Sequence, residues 1–574
     1  MPFFRSSHPL RRRGAAVALV LALAGGAQAH LAQAQPVTAQ RQMAATANPL
    51  ATEVALRVLR EGGSAVDAAI AGQMVLAVVE PQASGLGGGS LLLVWDAARR
   101  DLAYYEGLAS APAGLPQDYA HDAQGQPIPA EALARSGRVV GVPGTLRTLA
   151  LAHARHGRLP WPRLFQEAIA LARDGFALPR YLHAVLRAQP GLAGKPGFGL
   201  YFGADGQPLP VGSRVSNPAL AATLAQVATD GAEVFYRGPI AQHMVAAVAA
   251  HPLPGTLSLR DLAEYRPVQR RPVCLGVFRV TLCSAAPPAA GGIAVLQQLF
   301  LLEQAGIQAH PPGSLEAAHL FLEASRLTEA DRRRFLGDPD QVPVPEAGLL
   351  EASYLRRRAA LMDPARAMPQ VSPGQPTGRK AEAAPSDPLA LPATTHLSIL
   401  DADGNAVSFT TTLNLNFGAE IVVDGVVLNN GVTNFATRPV VQGQVVANAA
   451  APGKRPITTM APSMAFAEDG RLRLILGAGG GARIIDSVAQ TALGVLGWGL
   501  DVRSAIEQPR MGAQNRAEEL EKGTAAEALA PGLLALGHAP KIAVMNAAVQ
   551  AIAVQPAPMA GWADPHRDGS AAGD

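Results

Sequence analysis

The stretch that most constrains this chain is residues 391–418, LPATTHLSILDADGNAVSFTTTLNLNFG. Upstream, from about 363 to 390, Pro, Gly, Ala and Ser dominate without apolar periodicity, which predicts an exposed linker. The pattern then changes. Residues 396–400 and 406–412 alternate as half-buried strands do, and Asp401-Ala402-Asp403-Gly404-Asn405 between them supplies hairpin turn chemistry. Thr394 therefore stands at the head of a strand directly after a tether, where a cut in the tether makes it a new N-terminus. A threonine hydroxyl attacks only when a base takes its proton, and a free α-amino group, with a pKa of about 7.7–8.0, is such a base on the same residue. Position alone leaves the alternative open, since Thr-Thr at a strand start is also an ordinary β-forming pair.

The motif taken whole is more specific. Thr394-Thr395-His396-x-Ser398, the turn Asp403-Gly404-Asn405-Ala406-Val407, Thr412-Leu413-Asn414, Phe417-Gly418 and Leu428-Asn429-Asn430 resemble the γ-glutamyltransferase family of N-terminal-nucleophile hydrolases. Further landmarks follow in order: Val142-Pro143-Gly144, residues 157–176, Phe235-Tyr236-Arg237-Gly238, Gly291-Gly292, Ala330-Asp331-Arg332, Leu336-Gly337-Asp338-Pro339 and the closing Asp564-Pro565-His566-Arg567-Asp568-Gly569. The resemblance covers nearly all of the chain after about Ala45, the linker excepted.

The resemblance implies an α/β fold, a four-layer αββα sandwich. It also implies self-cleavage before Thr394 into a large segment, 30–393, ending in the linker at about 363–393, and a small segment, 394–574, the two forming one intertwined body. Roles carry over by matching position: Thr394 as nucleophile and base, Thr412 hydrogen-bonding near it, Gly480 and Gly481 as the oxyanion hole, and Asn414, Asn434, Thr458 and Thr459 as substrate contacts. The implied chemistry is transfer of an acyl group from a γ-glutamyl amide of glutathione type, through an acyl-threonine, to water or to an amino-acid or peptide amine. No cofactor and no metal are expected.

Specificity is where the residues depart from the family pattern. A γ-glutamyl donor presents an α-carboxylate and an α-ammonium, and burying both needs paired charges. The family's carboxylate-holding arginine, aligned on Ala111-Pro112, falls at Leu108, and its acidic neighbour at Ala109. The paired serines become Thr458-Thr459, which keep their hydroxyls. On the ammonium side Asn414 matches, but one acceptor becomes Gly431 and the aspartate becomes Asn434. Either the pocket is rebuilt from elsewhere, with Arg99, Arg100 or Glu106 the nearest charges in sequence, or the donor is a different acyl group, such as glutaryl. Residues 436–452 contain no aromatic side chain to close over an acyl group.

The chain has 574 residues, 48% hydrophobic and 16% charged, enough to bury a large core and unlike a disordered or fibrous protein. Residues 1–29 read as a secretory signal: Arg5 and Arg11-Arg12-Arg13, the apolar run 15–24, then Ala27-Gln28-Ala29, with Ala32-Gln33-Ala34 a second cleavage candidate. The run is too short to span a bilayer. Its removal takes four arginines and no acid or lysine, turning the formal charge of +3 into −1, so the basic pI is no argument for nucleic acid. A periplasmic or secreted protein with small-molecule partners is expected, without membrane attachment once the signal is removed.

Cys274 and Cys283 lie on two short predicted strands and are either paired or free thiols. Asn48-Pro49 opens one helix, and Ser64-x-x-Asp67 is a capping box for the next, which makes Asp67 a cap. The glycines from Gly85 to Gly89 precede a strand, the order for close backbone packing rather than for holding phosphate. The thirteen histidines lack ligand spacing, so His396 reads as a structural strand residue.

Two competing classes remain. Gly477-x-Gly479-x-x-Ala482, between a predicted strand and a helix, fits a dinucleotide-binding oxidoreductase, although Leu496-Gly497-Trp498-Gly499 stands where that site needs an acidic strand end. The other is an uncleaved, non-catalytic binding protein.

Overall fold

The computed structural model describes residues 35–378 and 393–574. The expected signal segment, its candidate cleavage sites and residues 379–392 of the expected linker lie outside the described residues. From Pro36 to Asp574 the chain forms one compact unit, built on two seven-stranded antiparallel sheets.

The first sheet runs, in spatial order, Ser570–Gly573, Met43–Thr46, Thr395–Leu400, Ala406–Thr412, Gly89–Asp96, Asp101–Gly107 and Val268–Arg270. The second runs Val37–Ala39, Met559–Ala563, Ala548–Ala553, Leu472–Gly479, Ser463–Ala467, Val280–Ser284 and Val273–Val277. Strands from before and after Thr394 interleave in both sheets. Thr395–Leu400 pairs on one side with Met43–Thr46 and on the other with Ala406–Thr412. The sheets stack face to face, Thr395–Leu400 lying against Leu472–Gly479 and Ala548–Ala553. Helices Pro49–Arg60 and Ala65–Val79 cover the outside of the first sheet, and Ala290–Gln304 and Ile484–Ala492 cover the second. This is the expected four-layer αββα sandwich.

The alternation in the Thr395–Leu400 strand has a different cause from half-burial, because all six residues are buried. Leu397 and Ile399 enter the apolar layer beneath the helices. His396 and Ser398 face the other sheet, where polar groups are satisfied by the facing backbone and by each other. Ser398 Oγ donates to the Gln550 carbonyl (3.0 Å), and Ser408 Oγ donates to the Leu476 carbonyl (2.9 Å). The His396 ring sits between Thr410 Oγ1 (2.8 Å) and Ser398 Oγ (3.0 Å), and burial pushes its pKa down to about 3. Any Cβ on Gly477 would lie within 2.3 Å of that ring. His396 is thus a neutral strut between the sheets, as its strand position predicts.

Local chemistry explains the helix starts. Asn48 Oδ1 accepts from Leu50 N, and Ser64 and Asp67 form a reciprocal capping box. The Asp67 carboxylate also accepts from the backbone N–H groups of Arg158 and Leu159, so the cap doubles as a loop anchor. The glycine run at 87–89 packs backbone on backbone: a Cβ at Gly87 would meet the Val427 carbonyl oxygen at 2.2 Å, and one at Gly88 the Thr412 carbonyl oxygen at 2.3 Å. Cys274 and Cys283, cross-strand partners, form a disulfide.

Two expectations need correction. Leu472–Gly479 takes Gly477 and Gly479 into the strand rather than leaving them in a loop, and it pairs antiparallel on both sides. A dinucleotide fold needs parallel βαβ pairing there, so that reading fails. The chain from 363 to 378, expected as the first part of an exposed linker, is docked on the body of the protein. Met368 N donates to Glu323 Oε2 (2.9 Å), Gly374 N to Asp331 Oδ1 (2.8 Å), and Arg358 Nη1 to the Ser372 carbonyl (2.9 Å). These are polar contacts to a helix and its neighbour, which hydrophobic periodicity cannot reveal.

Candidate active site

Thr394 immediately precedes its strand and is only 3% exposed. Its φ is +139°, a conformation that costs a β-branched residue on the order of 1–3 kcal/mol. Three contacts hold it there. Its hydroxyl donates to Thr412 Oγ1 (3.0 Å), which also accepts from Asn414 N (2.8 Å). Arg567 Nη1 donates to its carbonyl oxygen (2.5 Å). Gly479 lies beneath that carbonyl, so close that a Cβ would come within 2.0 Å of the oxygen.

Arg567 belongs to the closing motif, and its loop is fixed from both ends. The His566 ring lies between Asp564 and Glu521, both at 2.5 Å, and these carboxylates push its pKa up to about 9. Buried Asp564 in turn pairs with Arg510 (2.8 Å). On the other side Thr395 Oγ1 donates to Glu80 (3.2 Å), whose carboxyl burial pushes up to about 7 despite nearby Arg567. The sequence marked the closing motif without assigning it a task. Its visible task is to grip the carbonyl of Thr394.

Thr394, Thr412, Asn414, Asn434, Thr458, Thr459 and Gly481 all line one cleft of about 70 Å³. Gly480 is adjacent, at φ +146°, where a Cβ would meet Ala547 Cβ at 2.5 Å. Gly481, at φ +63°, begins the turn into the helix Ile484–Ala492. The leading N–H groups of such a turn have no intrahelical partners and can meet a negative oxygen. Thr459 Oγ1 donates to the Gly481 carbonyl (2.8 Å), which makes it a brace of this turn. Asn414 Nδ2 donates to Thr433 Oγ1 (2.7 Å) and is near Asn430 Oδ1 (3.3 Å). Asn429 bonds Gly87, Gly141 and Gly431, so the Asn-Asn motif knits loops together beneath the site.

A second, smaller cavity shares Thr412, Asn414, Asn434 and Thr458 with the cleft and adds Leu108, Ala109, Leu413, Asn429, Gly431 and Pro456. The departures noted at Leu108, Ala109, Gly431 and Asn434 therefore gather at one place. Buried Leu108 presents an apolar side chain there, and its backbone is pinned by Tyr265 Oη donating to its carbonyl (2.8 Å).

The charges nearest in sequence do not rebuild this cavity. Arg99 pairs with Asp96, and Arg100 reaches the Asp469 carbonyl, at the far end of the strands. Glu106 is fully buried and engaged by Arg455 (3.1 Å) and Arg270 (3.4 Å). The charges that do line the main cleft are Arg332, Arg333 and Arg516 with Glu329, accompanied by Gln514 and Asn515. Sequence reasoning missed them as site residues. Arg332 lay in a quoted landmark, but Arg333 and Arg516 look like ordinary surface charges, and nothing local shows that a helix and a distant turn converge on Thr394.

The four-layer arrangement, with a threonine at the head of a central strand, is that of the N-terminal-nucleophile hydrolases. Residues 51–574 match the family model described as Gamma-glutamyltranspeptidase. The chain is 35% identical over 509 residues to a glutathione hydrolase proenzyme of Escherichia coli, covering 86% of this chain and 85% of that protein. It is 33% identical over 516 residues to an Acylase ACY 1 proenzyme of Pseudomonas sp. (strain V22), covering 88% of each. Its fold is like that of a cephalosporin acylase from Bacillus halodurans, with a TM-score of 0.80 at 24% identity over 100% of this chain and 99% of that one. The chain belongs to the gamma-glutamyltranspeptidase family, and it is an enzyme of that transferase and hydrolase type.

Proposed function

We propose that the protein is exported, cuts itself before Thr394, and then transfers acyl groups from amides to water or to an amine through an ester on Thr394 Oγ1. The observation that carries this reading is Thr394 itself: a buried threonine at the head of a central strand, held at φ +139° and bonded to Thr412, with Gly481 lining the same cleft. The strained residue adjoins the Ala393–Thr394 peptide, so cleavage there releases strain while exposing the amine. The α-amine takes the hydroxyl proton, Thr412 Oγ1 steers the hydroxyl, and the N–H groups of Gly480 and Gly481 receive the oxyanion. Thr459 braces that turn, while Asn414, Thr458 and Asn434 meet the acyl group. Export rests on the signal pattern of residues 1–29 and implies a periplasmic or secreted enzyme.

Trapping tests the chemistry. Quenching a steady-state reaction with a slow anilide donor and digesting the protein should place the acyl group on the peptide that begins at Thr394. An acyl group found elsewhere, or none during active turnover, contradicts the mechanism.

The family relation supports γ-glutamyl donors. A second reading is favoured by Leu108: the donor is an acyl group without one or both α charges, such as a glutaryl amide. Leaving one partner of a buried charge pair unmatched costs about 2–5 kcal/mol, roughly 30-fold to several thousand-fold in kcat/KM. The wild type is expected to cleave a glutaryl anilide faster than its γ-glutamyl counterpart. Leu108→Arg combined with Asn434→Asp should reverse the preference more than either change alone, because each restores one contact. A wild type that strongly prefers the γ-glutamyl anilide contradicts this second reading and leaves the nucleophile assignment standing.

A further inference from the structure

A separate cavity of about 120 Å³ shares no lining residue with the catalytic cleft. The helix Ile484–Ala492 connects the two, since it follows Gly481 of the cleft and contributes Gln490 to the separate cavity. Beyond Ala492 the chain widens into a π-turn, Leu493–Gly497, closed by Trp498 N donating to the Leu493 carbonyl (3.0 Å), and this turn delivers Trp498 to the cavity. Such turns are rare and are frequent at functional sites. Phe321, Met511 and Leu529 add apolar wall around these two residues. Among the described residues, no ionisable side chain lines the cavity.

Two polar atoms on these lining residues are left over. Gln490 is only 5% exposed; its Nε2 donates to the Pro509 carbonyl (2.8 Å), while its Oε1 is buried with no partner among the described residues. The indole Nε1 of Trp498 is buried without one as well. The first atom accepts and the second donates. Buried polar groups are normally paired, and any water that serves these two is released by a hydroxyl that repeats its bonds. We propose that this cavity is a binding site for a small neutral aromatic molecule carrying a hydroxyl, phenol being the simplest case. Size, charge and polarity each support that class. A cavity of about 150 Å³ takes a benzene ring, and this one is nearly as large and is lined in part by exposed Ala525, so a single ring fits with its substituents towards solvent. A charged guest would lose its hydration without meeting a counter-charge. A hydroxyl can accept from the Trp498 N–H and donate to Gln490 Oε1, while the ring packs on the indole.

Calorimetry and ligand-observed NMR on the full-length purified protein test this with phenol and toluene, which differ in the hydroxyl. Phenol should bind saturably with a Kd on the order of 1 mM or tighter, as its few atoms allow, and more tightly than toluene. Trp498→Phe keeps an aromatic wall and removes the N–H, so the toluene-to-phenol ratio of Kd should fall by about fivefold, the loss of one neutral hydrogen bond. Ala525→Phe fills the mouth from an exposed position and should weaken both ligands by at least about tenfold; its thermal unfolding checks the fold, and Ala525→Leu replaces it if that fails. Benzoate, similar in size but charged, should show no binding that the Ala525 variant removes. Phenol binding that is absent, or that ignores either the Trp498 or the Ala525 variant, overturns the proposal. A benzoate site as sensitive to Ala525→Phe as the phenol site overturns the preference for a neutral guest.

Discussion

Replacing Thr394 by alanine is expected to leave the protein folded, uncut and without amidase activity. The alanine lacks the hydroxyl that attacks the Ala393 carbonyl in the precursor and the substrate carbonyl in the mature enzyme. Removing such a nucleophile lowers kcat by a factor on the order of 10⁴ or more. The fold should tolerate the change, because the strand is held by its ladders to Met43–Thr46 and Ala406–Thr412 and by Arg567 on the Thr394 carbonyl, none of which uses the hydroxyl. Thr394→Ser is the companion variant, since it keeps the nucleophile and should cleave and turn over, more slowly than the wild type. Denaturing electrophoresis and amidase assays read both effects. An alanine variant that is cut, or that retains activity within about tenfold of the wild type, contradicts the assignment.

Gly480→Ala is expected to lower kcat by about 10²–10³-fold, the loss typical of one oxyanion-hole donor. The cause is indirect. At φ +146° a side chain is strained, and its Cβ would meet Ala547 Cβ at 2.5 Å rather than the substrate. Relief of that clash must move the 480–481 peptide, and a displaced N–H no longer reaches the developing oxyanion. KM should change far less than kcat, because the donor acts mainly in the transition state. Thermal unfolding measured alongside separates this from collapse, since Ala547 lies in a short loop before a sheet strand that keeps its pairing to Leu472–Gly479. A fall in KM-controlled binding with kcat intact would place the glycine turn outside the oxyanion site.

The parts of the site that were legible in the sequence are those whose chemistry is local. Thr394, Thr412 and Asn414 fall within twenty-one residues on one hairpin, and Gly480-Gly481 follow an apolar strand just before a helix, so each lies in a short contiguous motif that the family resemblance could match. His396 was readable as structural from its strand position and the lack of ligand spacing among the histidines. What spacing cannot show is which distant polar residues arrive. Arg567 grips the Thr394 carbonyl from 173 positions away. Arg333 and Arg516 come from a charged helix face and a polar turn, and each is unremarkable until the fold brings both to the lining of the cleft. The fold was legible in layers, through family resemblance and strand pattern. The burial of both faces of Thr395–Leu400 was not, because polar side chains between two sheets look, in a single strand, like polar side chains facing water.

The central claim is that Thr394 becomes an N-terminus, and N-terminal sequencing of the purified wild-type protein tests it most directly. Two polypeptides are expected, the smaller reading Thr-Thr-His-Leu from its first cycle. A single intact chain that nevertheless hydrolyses amides would contradict the account.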